Sequence, residues 1–78
     1  MNRESQEQPK NQGKLKAKDI IPKEIQDQIL QVRDTGEVNM FDVNGVQRVA
    51  NDNGLYELVS YLIDKVNQKV YWNFILGK

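Results

Sequence analysis

Between two runs of helical periodicity lies the stretch Arg33-Asp34-Thr35-Gly36-Glu37-Val38-Asn39-Met40-Phe41-Asp42, and it constrains the fold more than any other. A basic residue near a helix C-terminus complements the negative end of the helix dipole. Gly36 then ends the helix, because glycine enters the left-handed conformation without steric penalty. Asp42 offers a fresh carboxylate to the free N–H groups of a following helix. Met40 and Phe41 form an apolar pair between stop and start. These ten residues describe a corner between two helices, and little in them looks catalytic.

Upstream of the corner, Ile21, Ile25, Ile29 and Val32 fall on one helical stripe. Pro22 suits the first helical position, where the N–H it lacks is orphaned anyway. Glu24 lies in the first turn, where the dipole favours it. Gln26, Asp27, Gln31 and Asp34 point elsewhere. Leu30 sits off the stripe, either covered by a neighbouring segment or part of a contact surface. Downstream, the pattern predicts a second helix over residues 43–52 with Asp42 as N-cap, and Val43, Val46, Val49 and Ala50 share its face. Gly45 inside that helix costs up to about 1 kcal/mol relative to alanine, a loss that a close helix contact offsets. Asn53-Gly54 is a stop.

A third helix is predicted from Leu55 to about Val66, with Leu55, Leu58, Val59, Leu62 and Val66 in a continuous stripe. Tyr56 and Ile63 widen the stripe and Tyr61 flanks it. So broad an apolar arc suits the central helix of a bundle, with Glu57, Ser60 and Asp64 as its wet face. The last segment, residues 68–77, has strand-like residue types but no evident second strand. A short helix capped by Asn67 is the better reading, with Val70, Tyr71, Phe74 and Ile75 on one face and Trp72 off it.

The residues before this region hold almost nothing to bury: Met1 to Lys18 are rich in Gln, Lys, Asn and Glu, with Leu15 and Ala17 the exceptions. Such a segment cannot offset its ordering entropy. The expected organisation is therefore a disordered polar and basic tail over residues 1–19 and a helical domain over residues 20–78. The expected fold class is all-α, a small three- to four-helix bundle. About 60 residues are near the lower limit for an unassisted core. The chain has no cysteine and no histidine, which excludes disulfide staples and ordinary zinc sites. A core this small often gains stability from a partner or from self-association.

Charge is balanced overall but uneven along the chain. The tail carries five basic residues against Glu4 and Glu7, whereas from Asp19 onward six basic residues face nine acidic ones. A mildly acidic domain is a poor phosphate binder, and five spaced basic charges read first as a solvated arm. No run is apolar enough to span a bilayer or to form the core of a signal peptide, so no membrane partner and a cytoplasmic location are expected.

Several local patterns invite a functional reading and are better explained otherwise. Asp34-Thr35-Gly36 matches the aspartic-protease tripeptide, but that motif supplies its carboxylate from a β-structured loop, and here a helix end accounts for it. The spacing from Ala50 to Gly54 is that of a helix-turn-helix. Asn53 and Ser60 stand where apolar residues are expected, however, and Glu57 and Asp64 oppose a lone Lys65 on the would-be recognition helix. Asn51-Asp52-Asn53-Gly54 lacks the alternation and the terminal glutamate of a calcium loop. Ser5, Thr35 and Ser60 are the ordinary hydroxyl nucleophiles, with no histidine as base, and there is no glycine-rich phosphate loop. Neither an enzyme nor a cofactor is expected.

Taken together, Ile29 to Gly36, Asn39-Met40-Phe41-Asp42, Val46-Gln47, Ala50-Asn51, Tyr56 to Val59 and Phe74-Ile75 carry a resemblance. They resemble a small domain of unknown function found mainly in phages and prophages of Gram-positive bacteria. The resemblance covers roughly Pro22 to Gly77 and omits the basic tail. It implies a phage-encoded cytosolic protein acting in an infected host, and it implies no catalytic residues.

The functional expectation is a small phage-encoded protein-binding module, regulatory or anti-defence, that acts by occupying a surface of a host or phage protein. Tyr and Trp are enriched at interfaces. The partner-binding candidates are Leu30, Met40, Phe41, Tyr61 and Trp72. Two alternatives stand beside this one: nucleic-acid binding through the basic tail and the helix-turn-helix-like corner, and a structural homodimer formed through the last helix or the Leu55–Val66 face.

Overall fold

The computed structural model describes residues 15–78. The disorder expected of residues 1–14 lies outside the described residues. Five helices follow one another: α1 (Ala17–Ile20), α2 (Lys23–Thr35), α3 (Val43–Asp52), α4 (Tyr56–Tyr61) and α5 (Lys65–Ile75). No strand occurs among the described residues, and the molecule is an all-α bundle. Residues 68–77 are helical up to Ile75, so the helix reading of the last segment holds.

The corner is built as its residues dictate. Gly36 adopts φ +67° and its N–H returns to the Arg33 carbonyl at 3.1 Å. Thr35 Oγ1 donates to the Val32 carbonyl at 2.7 Å and accepts from the Glu37 N–H at 3.1 Å. The Asp-Thr-Gly tripeptide is thus occupied in ending α2. Asp42 caps α3, accepting the Gly45 N–H at 3.1 Å. Pro22 is the N-cap of α2 rather than its first helical residue.

Gly45 does answer a close approach, but not one between helices. A Cβ there would lie 2.6 Å from Val38 Cγ2 and 2.7 Å from Asp42 Oδ2. The residue is small so that the corner loop and the capping carboxylate can lie against the first turn of α3.

Two departures from the sequence expectation are instructive. The predicted helix from Leu55 to Val66 is divided: α4 ends at Tyr61, and Asp64 caps α5 by accepting the Val66 N–H at 2.8 Å. An aspartate two residues before a free N–H competes for it outside the helix, which is why Asp is favoured at caps and poor in helix interiors. The cap is therefore Asp64 and not Asn67, and Asp64 is not on the wet face of a continuous helix. Once the chain turns, Ile63 and Val66 leave the stripe and stand 70% and 67% exposed. Tyr56 is also exposed.

The second departure is α1. Residues 17–19, assigned to the tail by composition, form most of a four-residue helix that buries Ala17. Four residues make no stable helix alone. Tertiary bonds hold this one: the Ala17 N–H donates to the Lys78 carbonyl at 2.9 Å, and Gln26 Nε2 donates to the carbonyls of Lys18 (2.8 Å) and Ile21 (2.7 Å).

The core gathers Ile21, Ile25, Ile29 and Val32 from the α2 stripe, Val43, Val46, Val49 and Ala50 from α3, Leu58 and Leu62 around α4, and Tyr71 from α5. Helix α4 packs on both α2 and α3, and α1 packs on α5.

Short helices expose many terminal N–H and C=O groups, and amide side chains satisfy several of them. Asn67 Nδ2 and Gln68 Nε2 donate to the carbonyls of Tyr61 and Leu62 at the end of α4, at 3.0 and 2.9 Å. Gln28, on the buried face of α2 and only 8% exposed, serves the other end. Its Oε1 accepts the Leu58 N–H at 2.9 Å and its Nε2 donates to Glu57 Oε1 at 2.8 Å. Leu55, the N-cap of α4, has no side-chain oxygen and makes no capping bond. The cap of α4 therefore comes from another helix.

Candidate functional site

The corner at residues 39–42 leaves backbone carbonyls that no helix uses. Asn39 organises the loop: its Oδ1 accepts the Phe41 N–H and its carbonyl accepts the Asp42 N–H, both at 2.9 Å. Two consecutive residues of α5 reach this loop from the far end of the sequence. The Tyr71 hydroxyl donates to the Met40 carbonyl, and Trp72 Nε1 donates to the Phe41 carbonyl at 3.3 Å.

Neighbouring residues on a helix project about 100° apart. Tyr71 consequently passes beneath the corner and is fully buried, while Trp72 runs along its outside. Burial pushes the Tyr71 hydroxyl well above the usual tyrosine range. Its proton stays in place and the bond to Met40 is maintained. Phe41 is left 49% exposed and Trp72 36% exposed. Trp72 is held by its own bond to the corner, while for Phe41 it is the backbone that is fixed, through Asn39 and Trp72, and the ring extends from it.

The structure thus joins three of the five sequence candidates, Met40, Phe41 and Trp72, with Met40 partly buried against the core. Leu30 stands on α2, exposed, without a ladder of this kind. Tyr61, at the end of α4, is partly buried and packed against the core. Desolvation, and secondarily the charge of Asp64, raise its hydroxyl pKa.

The wet face of α5 extends the patch. Lys65, Lys69, Trp72 and Leu76 share it at helical spacing, and α5 contains no carboxylate at all. Leu76 is exposed beside Trp72, four residues on. The composite surface is apolar at its centre with lysines at one margin, and sequence reading had not singled out Leu76. Its signal was available in the i, i+4 spacing from Trp72.

Among the described residues, no helix is long and apolar enough to cross a membrane. The model of one protein family, described as Domain of unknown function (DUF5049), matches residues 21–78. No curated protein and no solved structure matches the chain.

Proposed function

From the premise that the chain belongs to the family of unknown function DUF5049, we propose that it is a non-enzymatic protein-binding module that docks through Phe41, Trp72 and Leu76. The observation that carries this reading is the presentation of Phe41 and Trp72. A small domain short of core material leaves two large rings outside, Trp72 bonded to the Phe41 carbonyl and Phe41 carried on the backbone corner that Tyr71 and Trp72 both hold. Rigid aromatics bind with little loss of side-chain entropy, and such residues dominate interface energetics.

The occupant is a foreign protein with an apolar pocket, acidic on the side that meets Lys65 and Lys69. The resemblance of residues 22–77 to phage and prophage proteins supports a partner in the infected host or in the phage. It also supports a regulatory or anti-defence role in the cytoplasm. Leu30 and Tyr61 lie outside the docking residues in this reading.

Affinity capture with the full chain identifies the partner, and calorimetry with the purified pair tests the face. Phe41→Ala with Trp72→Ala is expected to weaken the complex at least about 30-fold, the loss of two central anchors of about 1 kcal/mol or more each. A complex of unchanged affinity overturns the assignment, as does failure of any captured protein to bind directly. Light scattering across a concentration series separates this reading from the homodimer: a dimer that survives at micromolar concentration and is lost in the double variant assigns the same face to self-association.

A further inference from the structure

The dipeptide Asn-Gly occurs twice in this chain, as Asn44-Gly45 and Asn53-Gly54, once at each end of α3. It is a chemically labile pair. The glycine nitrogen attacks Cγ of the preceding asparagine and closes a succinimide ring. The new bond joins that nitrogen to Cγ, the bond from Cγ to Nδ2 breaks, and the glycine amide hydrogen leaves with Nδ2 as ammonia. Water then opens the ring to aspartate or isoaspartate. Glycine favours the step because it has no Cβ to obstruct the approach. Two conditions must be met. The glycine N–H must be released from its acceptor to lose its proton, and the asparagine ψ must turn until the nitrogen faces Cγ. A helix or a tight turn holds that nitrogen away.

At Asn44 both conditions are hard to meet. The Gly45 N–H donates to Asp42 Oδ1 at 3.1 Å, and a carboxylate beside the N–H opposes loss of its proton. Asn44 itself is exposed, but Val43, Gly45 and Val46 around it are buried. Turning its ψ swings the first turn of α3 out of the core.

Asn53 is the C-cap of α3, and residues 51–54 are all exposed. The Gly54 N–H donates to the Asn51 carbonyl at 3.2 Å, and Asn53 Nδ2 donates to the Val49 carbonyl at 2.8 Å. Breaking these two bonds takes no side chain of residues 51–54 out of the core. Gly54, at φ +75°, absorbs the rotation before α4 begins, because glycine is free over most of backbone space. Exposed helix ends open at far lower free energy than core segments do. We infer that Asn53 deamidates spontaneously in the folded protein, whereas Asn44 is protected until α3 unfolds.

The product loosens the joint between α3 and α4. A carboxylate cannot donate, so the Val49 carbonyl loses its bond from Nδ2. A negative charge also appears beside Asp52 at the C-terminal end of α3, where the helix dipole disfavours it. Helix α4 starts from this joint and packs on both α2 and α3, so the bundle is destabilised while Phe41, Trp72 and Leu76 are chemically unaltered.

The test is prolonged incubation of the full chain at mildly alkaline pH, with and without concentrated guanidinium chloride. Peptide mapping by mass spectrometry follows the mass gain at each asparagine. In native buffer Asn53 should convert at least about 10-fold faster than Asn44. In denaturant the two rates should agree within about 3-fold, since the folded surroundings that distinguish them are gone. Equal native rates, absence of conversion at Asn53 in native buffer, or the native ratio persisting in denaturant overturns the inference. Asn53→Asp should melt about 4–8 °C below the parent, and an unchanged melting temperature overturns the loosening of the joint.

Discussion

Gln28→Glu is the most discriminating single change this fold offers. The introduced carboxyl matches the amide in size and keeps an oxygen where Oε1 accepts the Leu58 N–H. It replaces the Nε2 that donates to Glu57 Oε1 at 2.8 Å with a second acidic oxygen. Two carboxylates at that separation cannot both ionise at ordinary cost, and the less exposed one keeps its proton. A rise of about 2 units in the folded state corresponds to about 2.7 kcal/mol at neutral pH. A domain of this length has a total stability of about 3–9 kcal/mol. The melting temperature should therefore fall by about 10–20 °C at pH 7.

The sign with pH is the stringent part. In the variant, the raised folded value means that stability is intact below about pH 4.3 and lost as pH rises to about 6.3. The protonated carboxyl then mimics the amide, donating to Glu57 and accepting from Leu58. The parent protein behaves in the opposite sense. Donation from Gln28, and secondarily its own backbone N–H, hold the Glu57 carboxyl below the usual carboxylate range. That contribution is present above the ordinary glutamate value and is lost as pH falls through the folded one. Urea unfolding of both proteins between pH 3.5 and pH 8, about one unit apart, should give curves of opposite slope. A variant uniformly weaker at every pH, or as stable as the parent at pH 7, refutes the buried cap between α2 and α4.

Gly45→Ala should destabilise by about 1–3 kcal/mol despite the better helix propensity of alanine, because the added methyl meets Val38 and the Asp42 carboxylate; thermal melts should show partial rescue by Val38→Ala. Tyr71→Phe should cost about 1 kcal/mol by leaving the Met40 carbonyl unpaired. It should also flatten the alkaline limb of stability: the folded Tyr71 hydroxyl is raised, so its contribution is complete below the usual tyrosine range and lost as pH rises through and beyond it. Denaturant curves at pH 8 and about pH 11 test both points. Phe41→Ala should change stability by about 1 kcal/mol or less, as its ring is half exposed; a large drop in melting temperature would mark it as a core residue and remove it from the docking face.

Much of the fold was legible because it rests on local rules. Gly36 and Asp42 mark the end of α2 and the start of α3 through backbone conformation and capping, and the isoleucine stripe of α2 needs no knowledge of what it packs against. The division between α4 and α5 was hidden because Leu62, Ile63 and Val66 continue a helical period through it. Periodicity does not register that Asp64 prefers to cap. The α1 helix was hidden for the opposite reason. Its stability comes from Gln26 and Lys78, eight or more residues away, and its own four residues carry no pattern. Gln28 escaped notice because a polar residue on an apolar stripe reads as an interruption, and only its partners on α4 show why it is buried.

The aromatic corner combines both situations. Met40 and Phe41 stood out in sequence as apolar residues in a turn, and Trp72 as a ring off the face of its helix. What sequence could not supply was their common cause. Met40 and Phe41 present consecutive free carbonyls, and Tyr71 and Trp72 present consecutive donors, so the two pairs fix the rotation of α5 against the corner. Tyr71 fills the core only if Trp72 remains outside, since a helix cannot turn both side chains inward at one contact of this width. The exposure of Trp72 is therefore enforced by the burial of Tyr71, and it does not depend on a partner being present. That separates presentation from binding: Tyr71→Phe should loosen the Trp72 ring, raising its solvent access in fluorescence quenching, and should weaken partner binding by a smaller factor than Trp72→Ala. Equal loss in the two variants would mean that Tyr71 contacts the partner itself, and the corner would then open on binding.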